Sequence, residues 1–230
     1  MQRIKEAFLI NLLITAMLFM VFGVAESESD TAVFGQMPIY RAETEDKNIA
    51  LMINVYEGAE YVLEYLELFE KENIRATFFI GGCWAEKNRS VVEKIADSQN
   101  EIGNHGYNHK LHTKLSEEDS INEIKNTNEL LKDITGKDCT LFAPPSGDVN
   151  EQVVKQAEKL KMQTVMWSAD TIDWRDQSVK KIYDRVERNL KPGVLVLMHP
   201  TAATLKALPE IILLCKSQGY TFMTVSEIIK

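Results

Sequence analysis

Basic residues are few in this chain: 26 Lys and Arg stand against 34 Asp and Glu, a formal net charge of −8. Nucleic-acid binding needs basic surface to displace counterions, so that class of partner is excluded. Cysteine is scarcer still. Cys83, Cys139 and Cys215 are widely spaced, with no Cys-x-x-Cys pair. A thiolate zinc centre is therefore not expected, and the three read as small buried hydrophobes. No glycine fingerprint for a dinucleotide follows an apolar run, and there is no repeat or low-complexity tract. Histidine is limited to four residues, yet His105, His109 and His112 fall close together and His199 closes a second apolar run. A rare residue concentrated at strand ends points to one site rather than to scattered surface positions.

At 230 residues the chain is long enough for one domain with a substantial core and a short appendage. Residues 1–25 have the pattern of an export signal or membrane anchor: Arg3 and Lys5, an apolar run over 7–24, then Gly23-Val24-Ala25 as small residues suited to cleavage. The protein is expected to be secreted or anchored on the outer face of the cytoplasmic membrane, touching the membrane only through this segment. Residues 26–48 are polar and acidic and are expected to be a linker.

From Ile49 to the end, at 49–230, apolar runs alternate with helical periodicity. Strands are expected at 49–53, 76–80, a short run ending at Asn104, 140–142, 164–167, a run ending at Met198, and 220–223. Helices are expected between them, one opening at Ser116 with Asp119 three residues on and closing at Gly136. This succession predicts an α/β single domain, a distorted (β/α) barrel of about seven parallel strands. The active end of such a barrel is the carboxyl end of its strands. There the pattern gathers Asn54 to Glu60, His105 to His109, Asp170 to Trp174, and His199. Two neutral imidazoles four residues apart suit a zinc-like ion. A carboxylate near His199 suits the orientation of an imidazole that transfers protons.

Four segments carry a resemblance. His105-Gly106-Tyr107-Asn108-His109, Pro144-Pro145-Ser146-Gly147, Asp170-Thr171-Ile172-Asp173-Trp174 and Leu197-Met198-His199 resemble, in order, the motifs of the polysaccharide deacetylases, the NodB-homology carbohydrate esterases. The resemblance runs from about Ile49 to Ile229. It implies metal-dependent removal of acetyl groups from N-acetylated cell-wall or chitin-like sugars, with cell-wall glycan as partner. It implies His105 and His109 as metal ligands, His199 as general acid and Asp173 as its partner. Imidazole ligands favour zinc, cobalt or nickel over magnesium, and zinc is the ion expected.

The chain departs from that pattern on one side. The family's first motif, Thr-Phe-Asp-Asp-Gly, corresponds here to Met52-Ile53-Asn54-Val55-Tyr56-Glu57-Gly58. Aligned on the strand, Asn54 replaces the base and Val55 the metal aspartate. Aligned on the glycine, Tyr56 and Glu57 fall there instead; the strand register is preferred. Ala143 stands where the arginine that orients the base belongs. Glu57 and Glu60 are candidates for a substitute ligand, with solvated residues at a helix start as the alternative. The enzyme reading is an exported deacetylase with a rearranged base and third ligand. The other reading is a non-catalytic relative that binds wall glycan in the same groove.

Overall fold

The computed structural model describes residues 37–230. The expected export segment at 1–25 and the first part of the expected linker lie outside the described residues. Strand β1 (Asn48–Val55) is followed by helix α1 (Ala59–Glu72), β2 (Thr77–Ile80), α2 (Gly82–Lys87), α3 (Arg89–Asp97) and β3 (Glu101–Asn104). Then come α4 (Glu117–Thr135), β4 (Leu141–Phe142), α5 (Glu151–Lys159), β5 (Gln163–Thr164) and β6 (Ala169–Asp170). The chain ends with α6 (Asp173–Asp176), α7 (Val179–Asn189), β7 (Val194–Met198), α8 (Ala202–Ser217), β8 (Thr221–Met223) and α9 (Val225–Ile228).

The strands form one parallel sheet in the order β5-β4-β3-β2-β1-β7-β6, with β8 paired to β1. It curls into an incomplete barrel whose end strands, β5 and β6, are neighbours in sequence. The seven expected strands are present, and β6 is an eighth. The expected strand at 164–167 is shorter than its apolar run, because Met166 donates its N–H to Ile39 at 2.8 Å instead of continuing along β4. The polar segment before β1 is thereby bound to the sheet. Ile39 N–H donates to Thr164 at 2.9 Å and Ala42 N–H to Gly193 at 3.0 Å, spanning from β5 to the start of β7.

Alternation along β1 separates two apolar layers. Ile49, Leu51, Ile53 and Val55 pack outward in the large cluster beneath the helices. Ala50 and Met52 point into the barrel with Phe79, Ala143 and Leu195, where α9 adds Val225 and Ile228. Parity therefore puts Asn54 on the inner face and Val55 on the outer. The helices begin where side chains cap them: Ser116 accepts from Asp119 N–H, Asn150 from Val153 N–H and Thr201 from Thr204 N–H. The turn leaving β1 needs glycine. Gly58 has φ +72°, and a Cβ there would lie 2.3 Å from the Pro200 carbonyl oxygen. This contact draws the end of β1 against the end of β7, where His199 sits.

Candidate active site

His105, His109, Asp173 and His199 all lie at the carboxyl end of the sheet, as the barrel pattern requires. The rings of His105 and His109 are 5.2 Å apart. Among them stands Tyr56, the next inner-face position after Asn54. Its ring centroid is 4.1 Å from His109, 6.2 Å from His105 and 5.9 Å from His199. His112, the third member of the sequence cluster, belongs elsewhere. It is buried between α4 and α5, with Nδ1 2.8 Å from Ser120 Oγ, which itself donates to Gln156.

His105 is fully buried, and its Nδ1 donates to the Ala143 carbonyl at 2.7 Å. A carbonyl can only accept, so the proton sits on Nδ1 and Nε2 is left as an acceptor. Burial, reinforced by His109, pushes the imidazole down to about 3, so it is neutral at ordinary pH. Burial likewise lowers His109. The loop bearing His109 is held from α4 by one carboxylate. Glu123 accepts from Tyr107 N–H at 3.0 Å, Asn108 N–H at 2.6 Å and the Asn108 amide at 2.7 Å. Burial alone would raise Glu123; the Asn108 bonds and Lys110 hold it below the usual carboxylate range. His109 itself takes a left-handed backbone, φ +54°.

His199 and Asp173, the pair that the resemblance implies as acid and partner, are joined directly. Asp173 is completely buried and accepts four bonds. They come from His199 Nδ1 at 2.8 Å, His199 N–H at 2.7 Å, Thr204 Oγ1 at 2.6 Å and Trp174 N–H at 2.9 Å. Burial favours the neutral acid, but the bonds from His199 and Thr204 outweigh it and the carboxyl lies below its ordinary value. Reaching this geometry costs backbone strain. Ile172, a β-branched residue, sits at φ +50°, held by its N–H donating to Asp170 at 2.7 Å.

The base arm is different. Asn54 is 3 % exposed, and its Oδ1 has no hydrogen-bond partner; neither has His105 Nε2. Val55 is fully buried against the helix layer. Ala143 lines the barrel interior and offers only its backbone. Glu57 and Glu60 are both exposed. Among the described residues no three His, Cys, Asp or Glu side chains group so as to hold a metal ion. Tested against these donors, the divalent ion expected from the resemblance does not fit as a tightly held group. Two imidazoles are present, Val55 offers no donor and packs in the helix layer, and a phenol ring covers His109. Glu123 is the site residue that motif matching passes over, visible only as a carboxylate on the buried face of α4. Tyr56 entered the sequence reading only through the glycine register of the first motif, and strand parity places it as the inner-face successor of Asn54.

One mouth of the parallel barrel thus carries a histidine pair and a histidine backed by a buried aspartate. The family model described as "Polysaccharide deacetylase" matches residues 41–165, and the chain belongs to that family. It is 37% identical over 191 residues to the protein YlxY of Bacillus subtilis, covering 83% of this chain and 60% of that one. It is 34% identical over 195 residues to a peptidoglycan-N-acetylglucosamine deacetylase of Bacillus cereus, covering 80% of this chain and 89% of that one. Among solved structures it superposes with TM-score 0.82 on BA3943, described as a CE4 family pseudoenzyme from Bacillus anthracis. That pair is 38% identical over 84% of this chain and 69% of the other. The chain thus spans about three fifths of the length of YlxY. Several other relatives are described as peptidoglycan deacetylases.

Proposed function

We propose that this protein binds the glycan strands of the bacterial cell wall in the groove at the carboxyl end of the barrel, and that hydrolysis there is crippled on the base side. The observation that carries this reading is the end of β1. Asn54 replaces a proton acceptor with an amide, Val55 offers no ligand, and the Tyr56 ring lies 4.1 Å from His109. An amide oxygen is a far poorer base than a carboxylate. The likeness to a protein described as a pseudoenzyme supports the same reading. Peptidoglycan is the substrate named for the catalytic relatives, which supports wall glycan as partner. In this reading the protein works outside the cytoplasmic membrane, supported by the signal-like composition of residues 1–25. His105 and His109 then form half of a zinc site, sufficient only for weak contact with an ion.

A slow deacetylase is the second reading. It is favoured by the intact Asp173–His199 pair, which leaves His199 Nε2 unclaimed by Asp173 and suited to protonate a leaving amine. One experiment separates the two. The protein is incubated with N-acetylated glycan strands, with and without added zinc; bound strand and released acetate are both measured. Binding with acetate at the blank level is expected. Acetate release that disappears in His199→Ala establishes the enzyme instead. Absence of binding to these strands and to their de-N-acetylated form removes the glycan reading altogether.

A further inference from the structure

The floor of the groove holds two buried acceptors that nothing in the protein satisfies. Asn54 is 3 % exposed and His105 fully buried, and neither Asn54 Oδ1 nor His105 Nε2 has a partner. Both are on the inner side of the barrel mouth. Asn54 follows Ala50 and Met52 in alternation, and His105 is tied to Ala143, which lines the interior. Their chemistry has one sign. A carboxamide oxygen accepts only, and the His105 tautomer set by the Ala143 carbonyl makes Nε2 an acceptor too. Buried acceptors left bare are costly, so the pair calls for a group rich in donors. The third wall is the Tyr56 ring, which gives a metal ion no donor but attracts an ammonium through its face.

We propose that Asn54 Oδ1, His105 Nε2 and the Tyr56 ring form a binding site for a primary ammonium, the free 2-amino group of a de-N-acetylated amino sugar in wall glycan. The assignment rests on the glycan-binding reading above and narrows it to one chemical class. An ammonium brings three N–H donors and no acceptor. An acetamide brings a single N–H and so leaves one of the two acceptors bare. A divalent ion needs a third donor that the described residues do not supply. Tyr56 is half-buried, and admission of the group requires its ring to turn away from His109. The net charge of −8 favours the approach of a cationic strand. The protein would then recognise the product of the reaction that its catalytic relatives perform.

The test is calorimetric titration of the full chain with glucosamine tetramer and with N-acetylglucosamine tetramer, near pH 6.5, at two salt concentrations. The wild type is expected to bind the amine tetramer about tenfold more tightly. Asn54→Leu and Tyr56→Leu are each expected to abolish that preference. Should Asn54→Leu fail to fold by circular dichroism, Tyr56→Leu carries the comparison alone. A preference that persists in the variants reports general charge attraction and overturns the assignment. So does tight zinc binding that displaces the amine tetramer. Binding of the acetylated tetramer alone overturns the ammonium site but leaves the glycan reading standing. Binding of neither removes both.

Discussion

Replacing Asp173 by asparagine tests the acid arm most directly. The carboxylate is fully buried, and its two oxygens receive four donors, so its charge is stabilised entirely by the protein. Asparagine keeps one oxygen and turns an NH2 toward two of those donors. If the NH2 faces Oδ2's partners, His199 N–H and Thr204 Oγ1 are opposed; the hydroxyl can rotate, the backbone N–H cannot. If it faces Oδ1's partners, His199 must move its proton to Nε2 and Trp174 N–H is orphaned. Either choice forfeits at least one bond to a charged acceptor, about 1.5–3 kcal/mol, and leaves a buried donor bare at about 1–3 kcal/mol. A loss of about 3 kcal/mol in unfolding free energy is expected, measured by urea titration at pH 7.5. The pH dependence has a definite sign. The folded carboxyl is depressed, so its contribution is complete above the unfolded value near 4 and is lost as pH falls through the lower, folded value. The gap between wild type and variant should therefore be flat from pH 6 to 8. A loss below about 1 kcal/mol, or a gap that closes already at pH 6, refutes the bonding described here.

Glu123→Gln should free the loop that carries His109, because the amide NH2 must oppose Tyr107 or Asn108; about 1–3 kcal/mol of stability and a measurable part of the glycan affinity should go together. Urea titration and strand binding on the same preparation check this, and unchanged binding would show that the clamp does not position the site. Acidification should weaken the fold through the buried imidazoles. His112 is held at about 4 by burial, so between the ordinary value of 6.5 and 4 the unfolded chain takes up a proton that the native one does not. Stability is thus full above 6.5 and falls by up to about 1.4 kcal/mol per pH unit for this group as pH drops through that window. His112→Asn should flatten the slope of stability against pH between 6 and 5, and an equal slope in wild type and variant would contradict it. Asn54→Asp should destabilise the protein by about 1–3 kcal/mol at pH 8, since a buried carboxylate is set beside unpaired acceptors. Burial raises the folded carboxyl, so that penalty should fade as pH falls toward 4; a penalty independent of pH would mean the new charge is compensated.

Much of this was legible in the chain because β1, β2 and β7 are buried on both faces and so read as unbroken apolar runs. Strand β6 was not legible: Ala169 and Asp170 carry no apolar run and are strand only because they pair with Val196 and Leu197. Helix α2 escaped notice because Gly81-Gly82 reads as a strand terminator, although Gly82 opens a helix. The acidic composition of residues 37–47 concealed Ile39 and Ala42, whose backbone bonds tie that segment to β5 and β7. In the site, His105, His109, Asp173 and His199 were found by motif. Tyr56 among the imidazoles follows from strand parity once Asn54 is known to face inward. Glu123 follows from tertiary packing alone, for a single carboxylate on a helix face carries no local signal.

The asymmetry between the two arms also has a thermodynamic basis. Asp173 joins β7 to α8 through His199 N–H and Thr204, so the fold needs it whether or not a proton is ever transferred. Its presence is therefore weak evidence for turnover. Adjacent carboxylates at positions 54 and 55 would be the opposite case. One would lie in the barrel mouth and the other in the helix layer, and burial disfavours the charged form of each. Asn54 and Val55 remove both charges, and Val55 adds to the apolar layer under the helices. Without a bound ion, carboxylates at 54 and 55 would cost stability, whereas the buried Asp173 supplies it. The end of β1, and not the Asp173–His199 pair, is therefore where substitutions bear on the proposed use of the groove rather than on the fold.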